Sequence, residues 1–278
     1  SLNASSIEIV DTSTLSGTIS VGSFKADNLG GKTLTVVNGT VNVTGDDSLN
    51  VSGTSTSSRL TIAGSGSFNF TTKPTKHVGQ YLQFATQAPT VETNGPAKIS
   101  YSIDSTGGTN AFPGGWELDN TFVWLGTNSE KLNEPENWED GRIPGNGDDE
   151  VSIIVKKGNH PFTLISSEND QKLHKLTIEE EATTVVPDGA KLIITGGCEN
   201  RGSLLVKGIV EFSETGSYTG AEDGSDKLYI INQVAGENKR KTFNTTNGQK
   251  IGTLYVAGNV DLGLNGAVSV TKFETNAG

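Results

Sequence analysis

Residues 175–212 read KLTIEEEATTVVPDGAKLIITGGCENRGSLLVKGIVEF. Short runs of Val, Ile, Leu and Thr alternate in this stretch with Gly, Asn, Asp or Pro. Val, Ile and Thr favour the pleated strand, whereas Gly, Asn and Asp tolerate the backbone angles of tight turns. The intervals between the runs are too short for helical crossovers. The stretch therefore predicts several short strands joined by tight turns.

The same rhythm extends over most of the chain. It includes Ile7-Glu8-Ile9-Val10, Leu34-Thr35-Val36-Val37 and Gly252-Thr253-Leu254-Tyr255-Val256. Strand starts lie roughly 8 to 14 residues apart, and two or three strands per coil give coils of about 20 to 30 residues, the size of stacked solenoid repeats. We therefore predict an all-β fold with a parallel β-helix or β-solenoid-like stack. An antiparallel sandwich has similar strand spacing and remains the structural alternative.

Composition divides the chain into three segments. Residues 1–71 predict a strand-rich N-terminal β module, either sandwich-like or irregular, and residues 72–121 predict a Pro/Gly-rich junction. Residues 122–278 predict the β-solenoid-like module. The alternating pattern near the C-terminus stops at Gly278 without a terminating element, so we expect this module to be cut from a longer chain.

Charge and cysteine content narrow the classes of partner. The formal net charge is −11, which disfavours binding to the phosphate backbone of a nucleic acid. Cys198 is the single cysteine, so an internal disulfide framework is excluded. No run approaches the roughly 20 apolar residues of a membrane-spanning helix. A chain rich in Ser, Thr and Asn but poor in Cys predicts an extracellular or bacterial cell-surface protein.

One short signature lies near the start of the third segment. It comprises Trp124-Leu125-Gly126, Asn137-Trp138, Gly141-Arg142-Ile143-Pro144 and Asp148-Asp149-Glu150-Val151. The signature resembles the start of modules in the repetitive cell-surface adhesins of Bacteroidetes, which include gliding-motility surface proteins. The resemblance covers the chain from Trp124 onward, and residues 1–70 more loosely. It implies a parallel β-helix-like stack that is exported and serves adhesion, surface layers or motility.

The three tryptophans are the candidate ligand-binding aromatics. An exposed indole offers a flat apolar face to a sugar ring, and Trp116 follows Pro and Gly in a loop-like setting. Trp124 and Trp138 have an alternative role, because the open end of a solenoid must be covered to keep its interior from water.

Four residues of an acidic loop are candidate metal ligands. Asn146, Asp148, Asp149 and Glu150 supply the oxygen ligand types that Ca²⁺ prefers. The loop lacks the spacing of an EF-hand, and a solvated acidic turn is the alternative interpretation. No other cofactor is expected.

The pattern of ionisable residues favours a protein that is not an enzyme. His77, His160 and His174 are scattered and belong to no catalytic motif. We therefore predict a structural or adhesive segment that contacts surface glycans or host and environmental surfaces, within a larger parent chain or surface assembly. A carbohydrate-binding module is the alternative, and a β-helical polysaccharide-acting enzyme is the least favoured hypothesis.

Overall fold

The computed structural model describes residues 1–109, 111–144, 151–165, 171–212, 217–223, 225–231, 239–244, 249–257, 260–265 and 268–275. The chain is all-β and forms a β-solenoid of about 10 turns, so the predicted solenoid-like stack is confirmed. It divides into two compact units, Ser1–Asn120 and Thr121–Gly278.

The first unit contains eleven strands in one sheet. They are β1 (Leu2–Glu8), β2 (Ser13–Ala26), β3 (Thr33–Val43), β4 (Leu49–Ser52), β5 (Leu60–Ala63), β6 (Ser67–Phe70), β7 (Gly79–Gln80), β8 (Leu82–Phe84), β9 (Thr90–Thr93), β10 (Ala97–Ser100) and β11 (Trp116–Leu118).

The strands of the first unit wind into stacked coils. The long strand β2 pairs with β3 at Ser13–Ser16 and again at Thr18–Val21, and its last residues pair with β4. Each pairing between these named strands is parallel, as in a solenoid, whereas a sandwich pairs its strands antiparallel. Register partners on successive coils lie 17 to 28 residues apart, close to the predicted coil length.

Alternate residues of each strand fill the interior of the first unit. Ile19, Val41, Phe68 and Val91 are register partners on successive coils, and all four are buried. Side chains of this size contribute roughly 1.5 to 3 kcal/mol each when fully buried. The core is therefore a set of apolar columns to which every coil adds one member.

Residues 72–121 contribute five strands, β7 to β11, to the first unit. Val78, Leu82, Phe84, Ile99 and Trp116 from this segment join the same apolar core as the earlier coils. These strands are only two to four residues long, which is why the Pro and Gly of their turns dominate the sequence pattern. The stack thus continues through this segment.

The second unit begins with β12 (Thr121–Trp124) and a short 3-10 helix, Pro135–Asn137. Its remaining strands are β13 (Ser152–Val155), β14 (Phe162–Thr163), β15 (Gln171–Ile178), β16 (Thr183–Val186), β17 (Lys191–Asn200), β18 (Ser203–Val206), β19 (Ile209–Phe212), β20 (Ser217–Gly220), β21 (Lys227–Ile231), β22 (Lys239–Asn244), β23 (Gln249–Ala257), β24 (Val260–Asn265) and β25 (Val268–Thr275). Within the described ranges, no helix has the length and apolar character needed to cross a membrane.

Parallel sheets form the sides of the second unit. One sheet has the order β12-β13-β15-β17-β19 with β20 also on β17, another has the order β14-β16-β18-β21-β23-β25, and β22 pairs with β24. Leu176, Leu192, Ile194 and Leu204 project inward from these sheets and are fully buried. The register between neighbouring strands therefore determines which side chains of a strand face the interior.

Glycines allow the coils to touch at one turn of the first unit. A Cβ atom on Gly39 would lie 2.3 Å from the carbonyl oxygen of Gly17, and one on Gly66 would lie 2.5 Å from that of Gly39. Contacts this short with backbone atoms force the chain to shift. The three glycines thus form a column that sets the approach of successive coils.

We predict that Gly39→Ala destabilises the chain by about 1 to 3 kcal/mol, because the new methyl group overpacks a backbone contact. Gly114→Ala is the matched control, since its Cβ would meet no atom closer than 3.8 Å. Urea unfolding followed by circular dichroism measures both free energies. Equal losses in the two variants would contradict the column of close backbone contacts.

Candidate functional site

The structure places all three candidate tryptophans in the interior. Trp116, Trp124 and Trp138 are 7%, 0% and 3% exposed. Each indole N–H donates to a backbone carbonyl oxygen, of Pro89, His160 and Leu132 respectively. A sugar ring stacks only on an open aromatic face, and these rings offer none in this conformation.

Trp124 and Trp138 cover the first strand of the second unit. Their ring centroids are 5.1 Å apart, and both rings pack against Phe162. Asn137 and Glu139 exchange backbone hydrogen bonds with β12, so the loop after β12 folds back antiparallel along its edge. This arrangement keeps the apolar side chains of the first coil away from water.

The predicted Ca²⁺ ligands Asn146, Asp148, Asp149 and Glu150 lie outside the described residues. Their role therefore stays a prediction. Within the described part of the chain, no group of three or more His, Cys, Asp or Glu side chains is arranged to hold a metal ion.

The three histidines are far from forming one constellation. The Nε2 atom of His77 lies 2.7 Å from the backbone oxygen of Asp119 and 3.9 Å from its carboxylate, which also binds the Lys98 ammonium at 2.7 Å. The His160 carbonyl accepts the hydrogen bond of Trp124, and His174 lies against Gly196. The His77, Lys98 and Asp119 cluster fastens the last coils of the first unit to each other.

The best candidate site lies on the outer face of the second unit. Leu204, Leu228 and Leu254 project inward from β18, β21 and β23 and are at most 1% exposed. Side chains alternate along a strand, so the residues that follow these leucines project outward. Leu205, Tyr229 and Tyr255 are these residues, and their register aligns them in one column.

Tyr229 and Tyr255 form an aromatic pair in that column. Their ring centroids are 5.5 Å apart with an angle of 61° between the ring planes. Both side chains are half-buried, so each keeps part of its ring accessible. A tyrosine in this setting combines an apolar ring with a hydroxyl that reaches water.

Charged and polar side chains stand beside the two tyrosines. Lys227, Thr253 and Lys272 are register partners in the adjacent outward column, and both lysines are exposed. Glu274 aligns with Tyr255, and its carboxylate binds the Lys272 ammonium at 2.5 Å. The hydrogen bond from Lys272 to Glu274 and the charge of that carboxylate raise the pKa of Lys272.

We call this area the tyrosine surface, which consists of Lys227, Tyr229, Thr253, Tyr255, Lys272 and Glu274. The strand pattern in the sequence predicts the strands that carry this surface but not the surface itself. Alternation in one strand does not reveal which set of residues faces inward. One sequence feature does indicate the surface, because Tyr229 and Tyr255 each follow a Leu and precede an Ile or Val. When those apolar neighbours face inward, the tyrosine between them faces outward.

A fully buried polar network joins three coils of the second unit. The Tyr218 hydroxyl donates to Asp226 Oδ2 at 2.9 Å and accepts from Asn200 Nδ2 at 3.0 Å. Asp226 Oδ1 accepts the backbone N–H groups of Ala221 and Gly252, both at 3.0 Å. Burial and the neighbouring Asp226 raise the pKa of Tyr218, so the phenol stays protonated as the donor.

Cys198 lies near this network and is 1% exposed. Burial, followed by the charges of Glu199 and Asp226, raises the pKa of its thiol far above the usual range. Because the thiolate is the reactive form of cysteine, this side chain is an inert part of the core.

Asp104 anchors a loop of the first unit. Its Oδ1 atom accepts from the backbone N–H of Thr106 at 2.8 Å, from the Thr106 hydroxyl at 2.7 Å and from the N–H of Gly108 at 3.0 Å. Its Oδ2 atom accepts from the N–H of Ala111 at 3.2 Å. The bonds from Thr106 are the main cause that lowers the pKa of Asp104 to about 2.

No family model matches the chain, and no curated protein or solved structure matches it either.

We predict that Tyr218→Phe costs about 1 to 3 kcal/mol of unfolding free energy, because the buried Asp226 loses a donor and Asn200 loses an acceptor. The control is Tyr229→Phe, whose half-buried hydroxyl faces the outside and whose loss should change stability by less than about 0.5 kcal/mol. Chemical denaturation compares the two variants. If both lost the same amount, the buried network would not be a stabilising feature.

The ionisation of Asp104 makes the stability of the fold depend on pH. The folded pKa of Asp104 is about 2, below its ordinary value of 3.8. Asp104 therefore stabilises the fold above pH 4, and this contribution is lost as the pH falls towards 2. Carbon NMR of the carboxyl group should give a midpoint near 2, and Asp104→Asn should flatten the acid dependence of stability. A midpoint near 3.8 would show that the loop bonds do not form in solution.

Proposed function

We propose that this chain is a structural or adhesive segment of a secreted bacterial cell-surface protein. The observation that supports the proposal most strongly is a polar column on the outside of the first unit. Asn42 Nδ2 donates to Ser20 Oγ at 3.3 Å, and Asn69 Nδ2 donates to Asn42 Oδ1 at 3.2 Å. Three successive coils are thus tied together by side chains as well as by backbone.

Ion pairs add further links between neighbouring coils. Lys25 binds Glu8 at 3.1 Å, and in the second unit Lys191 binds Glu211 at 3.0 Å. A single exposed ion pair is worth at most about 1 kcal/mol. The stability of a solenoid is approximately a sum over neighbouring repeats, so many such links stiffen each unit along its stack. Stiffness along the stack suits a segment that bears load.

The adhesive part of the proposal draws on the tyrosine surface. A segment that repeats in a larger surface protein presents each binding patch many times, so weak contacts add through multivalency. The resemblance of the Trp124 to Val151 signature to Bacteroidetes surface proteins supports the placement outside the cell. The carbohydrate-binding module remains the second candidate, and the outward-facing, half-buried tyrosine pair is the observation that favours it.

Single-molecule force spectroscopy tests the structural role. We expect the chain, held between two handle domains, to resist extension and to release lengths of one or more coils, each roughly 75 to 100 Å of extended backbone. Asn42→Ala combined with Asn69→Ala should lower the unfolding force, since the outer column is lost. The matched control replaces the exposed Thr72 and Thr86 with Ala. If all three proteins unfolded at the same force, the polar column would no longer support the proposed structural role.

Antibody labelling of intact cells that express the parent protein tests the location. We expect labelling without permeabilisation. Labelling that requires permeabilised cells would contradict a cell-surface role and would leave the force measurement unaffected.

A further inference from the structure

We propose that the tyrosine surface binds an acidic polysaccharide whose sugars carry carboxylates. The inference rests on the proposed adhesive function and names the class of ligand. It follows from the outward tyrosine pair and from the two lysines beside it.

The two tyrosines form an open strip on the surface of the second unit. Tyr229 and Tyr255 project from neighbouring strands of a parallel sheet, and such strands lie about 4.8 Å apart. Their rings, 5.5 Å apart, form a strip that crosses the strands rather than a closed pocket. A strip of this kind suits an extended polymer, in which one sugar stacks on a ring face while the chain continues past the neighbouring ring, whose plane is inclined by 61°.

Two lysines supply positive charge beside the tyrosines. The chain carries a net charge of −11, so a polyanion is repelled at long range and needs local cations to bind. Lys227 and Lys272 supply them, on the two sides of Thr253 and next to the tyrosine column. The lysine stems and ammonium groups are exposed. Because they stand in the column next to the rings, we assign these ammonium groups to the carboxylate of a uronic acid stacked there.

A ligand carboxylate has access to the ion pair between Lys272 and Glu274. Both side chains are accessible, at 65% and 39%. A ligand carboxylate replaces Glu274 as the partner of Lys272, and the released Glu274 oxygen accepts a sugar hydroxyl. The exchange leaves Lys272 paired with the ligand carboxylate and Glu274 hydrogen-bonded to a sugar hydroxyl, and it orients the polymer along the column. A neutral polysaccharide satisfies the tyrosines but leaves Lys227 without an ionic partner from the ligand.

Isothermal titration of the whole chain with polygalacturonate tests the proposal, and the methyl ester of the same polymer is the neutral probe. We expect binding to the acid form that weakens as salt is added, and at least about tenfold weaker binding to the ester. Tyr229→Ala combined with Tyr255→Ala should reduce affinity by roughly tenfold or more.

Conservative variants separate binding from folding. Tyr229→Phe keeps the ring and should bind more tightly than Tyr229→Ala. Lys227→Gln should weaken binding and reduce its salt dependence, whereas Lys32→Gln in the first unit should change neither. Circular dichroism confirms that each variant is folded.

Three results would overturn the proposal. These are the absence of binding to polygalacturonate, equal or tighter binding to the methyl ester, and native affinity in both Lys227→Gln and the double tyrosine variant. A fourth contrary result would come from analytical ultracentrifugation, if the native chain self-associated and the double tyrosine variant were monomeric. This surface would then bind a second copy of the chain. None of them changes the force or labelling measurements, so failure of the ligand assignment is distinguishable from failure of the proposed function.

Discussion

Parallel backbone hydrogen bonding between successive coils is the constraint on which the rest of this structure depends. Because neighbouring strands lie about 4.8 Å apart, each side chain is stacked on the side chain at the same position of the next coil. Columns that face inward are therefore mostly apolar, as with Ile19, Val41 and Phe68. At Gly39 a Cβ atom would lie 2.3 Å from the carbonyl oxygen of Gly17, so this position of the column requires glycine.

The same stacking governs the polar residues. Inside, neighbouring coils complete the hydrogen bonds of the network around Asp226, which uses groups from three coils. Outside, stacking gathers residues that are distant in sequence into a surface. Asn42 and Asn69 become a link between coils, whereas Tyr229 and Tyr255 become an outward-facing, half-buried aromatic pair. Structural and adhesive properties thus arise from different columns of one fold.

The strand rhythm was sufficient to predict an all-β fold and favoured a solenoid, although strand spacing left an antiparallel sandwich as the alternative. The columns were not predictable, since register partners on neighbouring coils lie 17 to 31 residues apart and the register shifts within β2 and β15. The tyrosine surface was missed for that reason. Trp116, Trp124 and Trp138 were candidate ligand-binding residues, with coverage of the open end of the stack as the alternative for Trp124 and Trp138. The structure places all three rings in the interior, where their N–H groups donate to backbone carbonyls. Residues 72–121 look like a junction because their strands are shorter than their turns.

The central claim is that successive coils pair in parallel, and nuclear Overhauser contacts between backbone protons test it most directly. The account predicts contacts between residues about one coil apart, such as Val41 with Phe68 and Leu204 with Leu228. It predicts no antiparallel ladder between strands that follow each other in sequence, such as β5 and β6. An antiparallel ladder between those strands, together with missing contacts between Val41 and Phe68, would contradict the stacked coils and every column derived from them.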